Sequence, residues 1–244
     1  MNVGIVLLVA SAALHAAWNA LLKREPDKLV SVLAVLAVSF ATATLVSAAT
    51  TGLHLPLASL GWAAAAGAAE GGYFVALAVA LSRASYGVAY TVSRGGAMLL
   101  VWVASSLWLG ERVDAWTLSG VGLLFAGLVL ANNTSRVGSS SADANANASP
   151  AKERLGASYW AALFIAGYHL CYGRALALGA TPAPLFAGAL FVALPIVAVV
   201  PRRDRVRAAW RALVARPWPI GSAGVLATAS FIMFLAGLSR SGAG

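Results

Sequence analysis

Eight apolar segments, each about long enough to cross a lipid bilayer as a helix, set the strongest limit on what this chain can fold into. A spanning helix needs about 20 mostly apolar residues. The segments run over approximately 2–22, 29–50, 60–82, 86–109, 115–131, 156–176, 183–200 and 219–239. Charged residues make up 10% of the chain, against about 25% in a soluble domain. The sequence therefore predicts an all-α polytopic membrane protein of about eight transmembrane helices.

The distribution of basic residues decides what the net charge of +9 means. Six arginines lie between Arg202 and Arg216, and the others are scattered through short gaps between apolar segments. This is how basic residues are distributed in membrane loops, whereas a nucleic-acid surface needs a folded soluble domain. We therefore expect the lipid bilayer, and not nucleic acid, as a partner. The single Cys171 lies in an apolar segment and forms no disulfide within the chain.

A polar stretch divides the chain into two halves. Residues 133–155 are rich in Ser, Asn and Ala, a composition that cannot bury a core and is typical of a flexible linker. The sequence thus predicts a first repeat of five helices over 1–132, the linker over 133–155, and a second, incomplete repeat of three helices over 156–244.

Two sequence matches relate the halves. Leu14-His15-Ala16-Ala17-Trp18-Asn19 in segment one corresponds to Tyr168-His169-Leu170-Cys171-Tyr172-Gly173 in segment six. Leu81-Ser82-Arg83 at the end of segment three corresponds to Leu238-Ser239-Arg240 at the end of segment eight. Because five helices precede the second copy, that copy is inverted in the bilayer. Inverted-topology repeats are typical of secondary transporters, whose substrate site lies near the midplane between the repeats.

These motifs resemble the EamA-type transporters of the drug/metabolite transporter superfamily. The resemblance rests on His15-Ala16-Ala17-Trp18-Asn19 with Lys23, on Ser82–Tyr90 leading into Leu109-Gly110-Glu111-Arg112, and on the glycine-rich stretch 119–127. It covers nearly all of the first half closely and the second half loosely. It implies ten helices in two inverted repeats around a cavity that moves small metabolites. Here counterparts of segments four and five are missing after Gly244, so we expect the chain alone to be unstable or to form a homo-oligomer.

Glu70 is the first candidate site residue, because it lies near the middle of segment three. Ionisable residues inside spanning helices are rare and often mark proton or substrate paths. In the functional interpretation, Glu70 faces the cavity and binds a cationic group or the coupling proton. In the structural interpretation, Glu70 pairs with Arg94 or a backbone donor, while Gly67 and Gly71 allow neighbouring helices to approach closely. Tyr73, one helical turn further along, is a candidate substrate-binding residue.

Arg94 is the second candidate, together with Tyr90 four residues before it on the same helix face. A guanidinium group beside a phenol suits a carboxylate or phosphate on the substrate. Alternatively, if segment four begins late, Arg94 reaches the membrane interface and the tyrosine belongs to the aromatic belt.

Two mid-helix histidines complete the set of candidates. His15 and Asn19 share a face of segment one beside Trp18, and His169 with Tyr172 occupies the corresponding place in segment six. A single intramembrane histidine usually forms a hydrogen bond between helices. Two in corresponding positions make a substrate site as plausible as that structural role. We find no metal-binding, hydrolase or nucleotide-binding motif, and expect neither an enzyme nor a cofactor.

The sequence thus predicts a secondary transporter of a small polar or amphipathic metabolite, working by alternating access with possible proton coupling through Glu70. The alternative is a non-transporting membrane protein, such as a regulatory partner or a truncated transporter remnant, with an intramembrane enzyme as the less favoured option. With eight spans, thirteen basic residues lie on one side and only Arg112 and Arg240 on the other. The positive-inside rule places the thirteen in the cytoplasm, with the protein in the plasma (inner) membrane.

Overall fold

The computed structural model describes residues 3–83, 86–108, 115–137, 151–199 and 204–240, which form nine α-helices and no strand. The helices are α1 (Val3–Lys23), α2 (Lys28–Thr50), α3 (Leu57–Arg83), α4 (Tyr86–Trp108), α5 (Ala115–Val137), α6 (Ala151–Ala177), α7 (Pro182–Val199), α8 (Asp204–Ala215) and α9 (Pro217–Arg240). The prediction of an all-α fold is confirmed.

Six helices of the described chain are long and apolar enough to cross a membrane. They are α1, α2, α3, α7 and α9, together with Gly87–Ala104 of α4. The protein is therefore a polytopic membrane protein, as predicted. In α5 the apolar run Leu118–Gly127 is shorter than a full span, and α6 begins among the charged residues 152–154. Spanning by these two helices stays a prediction.

Local sequence signals explain several helix ends. The carboxylate of Asp27 accepts hydrogen bonds from the backbone N–H groups of Leu29 and Val30 and so caps the start of α2. Gly52 and Gly179 follow the ends of α2 and α6 with φ angles of 78° and 88°. Glycine adopts this left-handed conformation without strain, so both positions suit a helix C-terminus.

The arginine-rich segment 202–216 differs from the prediction. We expected a loop, but residues 204–215 form helix α8. Val206, Ala209, Trp210 and Leu213 recur at helical spacing and give α8 an apolar face. The helix packs against α2 and α9. Asp204 in the first turn complements the helix dipole. The short length and many arginines concealed this pattern among the sequence's longer apolar segments.

Helices continue into both ends of the predicted linker 133–155. Helix α5 extends to Val137 and α6 begins at Ala151, while residues 138–150 lie outside the described residues. An extended helix satisfies its own backbone hydrogen bonds, so α5 and α6 need not end where the apolar sequence ends.

The chain forms two compact units that differ from the predicted sequence halves. The first contains Met1–Val75 and Gly167–Gly244, and the second contains Ala76–Ala166. The boundaries fall inside α3 and α6, so each of these helices contributes to both units. Helices α1, α2, α7, α8 and α9 belong to the first unit, whereas α4 and α5 pack together in the second.

Glycines bring the helices of the first unit close together. A Cβ atom at Gly67 would lie 2.3 Å from the carbonyl oxygen of Ala189 on α7, and one at Gly71 would lie 2.9 Å from Ile196 Cβ. The Gly67–Gly71 pair therefore serves the contact between α3 and α7, as the packing interpretation predicted. Gly224 plays the same part between α9 and α2, where its Cβ would lie 2.6 Å from Val38.

An ion pair joins two of the connections. Arg216 Nη1, between α8 and α9, lies 2.8 Å from Glu25 Oε2, between α1 and α2. The Glu25 side chain is buried and the Arg216 side chain is 44% exposed. These two connections therefore lie on the same side of the first unit, in agreement with the predicted alternation of spans.

Candidate functional site: a buried carboxylate among aromatic rings

Seven polar and aromatic side chains of α1, α3 and α6 form the candidate site, which we call the Glu70 cluster. Each is at most 2% exposed, and all belong to the first unit. The members are Trp18, Asn19, Glu70, Tyr73, Phe74, Tyr168 and Tyr172. Glu70, Tyr73 and Phe74 share one face of α3 because they are spaced three and four residues apart.

The Glu70 carboxyl group has unmet hydrogen-bonding capacity. The side chain is fully buried, and neither oxygen has a hydrogen-bond partner among the described residues. The Tyr172 hydroxyl group is close enough to interact with it electrostatically, but the two do not reach hydrogen-bond geometry. A buried carboxylate without a partner is strongly destabilising. Inside a spanning helix, such a group is a candidate for binding a proton, an ion or a substrate.

Two further groups of the Glu70 cluster lack partners in the described chain. The indole N–H of Trp18 has no acceptor, and the side-chain oxygen of Asn19 has no donor. The Asn19 amide nitrogen is satisfied, since it donates to the backbone oxygen of His15 at 2.8 Å. The acceptors without a hydrogen bond are thus the Asn19 amide oxygen and the two Glu70 carboxyl oxygens. The donors without a hydrogen bond are the Trp18 indole N–H and the Tyr172 hydroxyl group. This balance favours a ligand that donates hydrogen bonds or carries positive charge.

Aromatic rings connect the three helices around Glu70. Trp18 lies 6.1 Å from Phe74, Tyr73 lies 5.8 Å from Tyr168, and Tyr168 lies 5.8 Å from Tyr172, all measured between ring centroids. Edge-on and tilted pairs at these distances stabilise one another and form a rigid wall. The faces of such rings also attract cations.

His15 connects helices through hydrogen bonds, as the structural interpretation of an intramembrane histidine predicts. The Ser230 hydroxyl on α9 donates to the backbone oxygen of Ser11 at 3.1 Å. Because the hydroxyl proton of Ser230 takes part in that hydrogen bond, the hydroxyl oxygen is left as an acceptor. Nδ1 of His15, 3.2 Å away, therefore donates to the oxygen of Ser230. Nε2 of a neutral ring is then an acceptor, and the Tyr73 hydroxyl lies 3.5 Å from it. His15 therefore positions Tyr73 of the Glu70 cluster.

The remaining candidates are divided between the two units. His169 is half-buried, with its ring stacked on Phe234 and edge-on to Tyr168 at centroid distances of 4.7 Å. Tyr90 and Arg94 belong to the second unit, where the guanidinium carbon lies 5.9 Å from the Tyr90 ring centroid. Ring contacts and the interaction of Glu70 with Tyr172 thus join Trp18, Glu70, Tyr73 and Tyr172 in one cluster, with His15 and His169 at its edge. Asn19 is buried next to Trp18 along α1.

Sequence reasoning missed Phe74, Tyr168 and the α9 residues Ser230 and Phe231. Phe231 lies 5.4 Å from His15 and 5.9 Å from Tyr168, between ring centroids. Tyr168 could have been found, because it precedes His169 and lies four residues before Tyr172 on one helix face. Nothing in the sequence indicates that α9 crosses α1 at Ser230, since that contact depends on tertiary packing.

Within the described residues, no three His, Cys, Asp or Glu side chains are grouped so as to hold a metal ion. No protein-family model matches the chain, and no solved structure matches it. The functional interpretation therefore depends on the geometry and chemistry of the Glu70 cluster.

Proposed function

We propose that this membrane protein is a secondary transporter of a small solute that carries a positively charged amine, with the Glu70 cluster as its binding site. The observation that carries the proposal is the fully buried carboxyl group of Glu70, whose two oxygens have no hydrogen-bond partner in the described chain. Intramembrane carboxylates of this kind typically bind substrates, ions or protons.

The composition of the Glu70 cluster supports a cationic solute. An ammonium group donates up to three hydrogen bonds and would satisfy both carboxyl oxygens of Glu70. The faces of Trp18, Tyr73 and Tyr172 would add cation–π attraction, about 0.5–2 kcal/mol for each favourable contact. The substrate class is thereby narrower than the small polar or amphipathic metabolite that the sequence alone predicts.

Competition at one carboxylate would supply the coupling. Either a proton or the ammonium group neutralises Glu70, and only one of them can do so at a time. Binding of one therefore displaces the other, and a proton gradient drives solute in the opposite direction. Because Glu70 and Tyr172 are fully buried, solute would reach them only when the surrounding helices separate, which is the basis of alternating access.

The resemblance to EamA-type transporters agrees with this proposal, and we propose the plasma (inner) membrane as its setting. In that setting the thirteen basic residues of the predicted cytoplasmic side would face the cell interior. A regulatory membrane protein that transports nothing is the competing function.

An uptake screen distinguishes these functions. The purified protein is reconstituted in liposomes and offered labelled primary amines, zwitterionic amino acids and carboxylates of matched size. We expect saturable uptake of amines, recovered chemically unchanged, and at least about tenfold weaker uptake of the carboxylates. Tyr172→Phe should weaken amine uptake, whereas the exposed Tyr159→Phe, on the same helix, should not. No uptake of any class above empty liposomes would contradict the proposal, and chemical conversion of the solute would indicate an enzyme.

A further inference from the structure

An apolar cleft lies between α2, α7 and α8 in the first unit. Its volume is about 310 Å³, near the lower limit of small-ligand pockets. Its ten lining residues are all apolar: Leu33, Ala34, Ala37, Leu194, Pro195, Ala198, Val206, Ala209, Trp210 and Leu213. None of them belongs to the Glu70 cluster.

The position of the cleft along α2 places it within the bilayer. Leu33 and Ala37 lie five and nine residues after the start of α2 at Lys28, which is roughly 8–14 Å at 1.5 Å per residue. Half of the hydrocarbon core is about 15 Å thick. The cleft therefore opens at the depth of the acyl chains in the leaflet on the α8 side.

Helix α8 forms the wall of the cleft nearest the water, and its composition is typical of an interfacial helix. Val206, Trp210 and Val214 are spaced by four residues and are exposed, as a lipid-facing stripe requires. Arg207 and Arg211 are exposed on the adjacent face. Tryptophan and arginine residues of a membrane protein are commonly found at the level of the lipid headgroups.

Arg205, at the start of α8, places an unused hydrogen-bond donor beside the apolar cleft. Its side chain is partly buried, and Nη1 is inaccessible to solvent with no acceptor among the described residues. Arg205 directly precedes Val206 and lies four residues before Ala209, and both of these line the cleft. By contrast, Arg216 has an acceptor in Glu25. A guanidinium group with an unused buried donor suits a phosphate oxygen.

We propose that this cleft binds an anionic phospholipid of the surrounding leaflet. One acyl chain occupies the space between α2, α7 and α8, and Arg205 donates hydrogen bonds to the phosphate. Arg207 and Arg211 attract the negative headgroup from the exposed face of α8. The bound lipid would fill the cleft and fix α8 against α2 and α7. This site is independent of solute transport.

Native mass spectrometry of the detergent-purified full chain tests the proposal. The protein is titrated with phosphatidylglycerol and phosphatidylcholine of identical acyl chains. We expect one phosphatidylglycerol to remain bound, with at least about fivefold preference over phosphatidylcholine, since one arginine near an anionic headgroup contributes about that factor. Arg205→Gln should lower phosphatidylglycerol binding about fivefold. Arg240→Gln, at the exposed end of α9, should leave it unchanged.

A cleft-filling variant separates lipid binding from simple anion binding. Ala34→Phe places a ring in the space assigned to the acyl chain while leaving every arginine in place. We expect Ala34→Phe to lose the bound phosphatidylglycerol while eluting as a folded protein on size exclusion. Retention of the lipid by Ala34→Phe, or equal binding by Arg205→Gln and Arg240→Gln, would overturn the proposal. Displacement by inorganic phosphate alone would also overturn it, because it would indicate an anion site without an acyl chain.

Discussion

The two buried glutamates of the first unit differ in what surrounds them. Glu25 forms an ion pair with Arg216 at 2.8 Å, whereas Glu70 has no hydrogen-bond partner among the described residues. The sequence places Glu70 inside a spanning segment but does not reveal this difference, which depends on Tyr172 of α6 and on the packing of three helices. The sequence thus identifies Glu70 as a candidate site residue. The structure adds that Glu70 lacks a hydrogen-bond partner among the described residues, and the proposed binding role depends on this.

A pair of matched substitutions tests this difference at the residue scale. Glu70→Gln replaces an ionisable group without a partner by a neutral amide of the same shape, so we expect abundance and thermal stability at least equal to those of the wild type. Glu25→Gln removes the ion pair with Arg216, and we expect it to lower the melting temperature. Fluorescence-detected size exclusion after heating measures both. If Glu70→Gln and Arg94→Gln each lost abundance and the double variant recovered it, Glu70 would be one half of a structural pair.

Among the helices, the sequence predicted the long apolar elements to within a few residues but missed α8. Long segments such as α2 and α9 are recognisable because about twenty consecutive apolar residues rarely form anything other than a membrane-spanning helix. In α8 only one face is apolar, and the arginines on the other face resemble a loop. The close approach of α3 to α7 was foreseen from the spacing of Gly67 and Gly71, although the sequence could not identify α7 as the partner.

That approach predicts a large difference between two glycines of α3. Gly67→Ala would place a Cβ atom 2.3 Å from the carbonyl oxygen of Ala189, so we expect a loss of about 1–3 kcal/mol in stability. Gly61→Ala meets no atom within 4 Å and should raise stability by up to about 1 kcal/mol, because alanine favours the helix more than glycine does. Thermal denaturation in detergent compares the two. Equal melting temperatures would mean that α3 and α7 are further apart than described.

At the scale of the whole molecule, the polytopic all-α fold follows from composition and segment length alone. The inverted repeat and the division at 133–155 are sequence predictions of a different kind. The predicted repeats concern internal sequence similarity and orientation in the membrane, whereas the compact units are defined by contacts. Helices α3 and α6 each contribute to both units. The units therefore do not test the predicted repeats. The ion pair between Glu25 and Arg216 brings together two connections that the positive-inside rule assigns to one side.

Cysteine labelling tests the orientation in intact cells. In a Cys171→Ala background, Ala215→Cys places a thiol at the exposed end of α8, and Leu53→Cys places one in the exposed connection between α2 and α3. We expect an impermeant maleimide to label position 53 at once and position 215 only after permeabilisation. The reverse pattern would invert the assigned orientation, and immediate labelling of both would exclude the proposed alternation of spans.

Uphill transport by the Glu70→Gln variant is the most direct measurement of the central claim, which is that one buried carboxyl group binds either the amine or the proton. Proteoliposomes with an imposed proton gradient are offered the labelled amine found in the uptake screen. Wild-type protein should concentrate the amine above its external level. Glu70→Gln, reconstituted at equal density, should retain at most amine exchange and should not concentrate it. Full gradient-driven accumulation by Glu70→Gln would contradict the account.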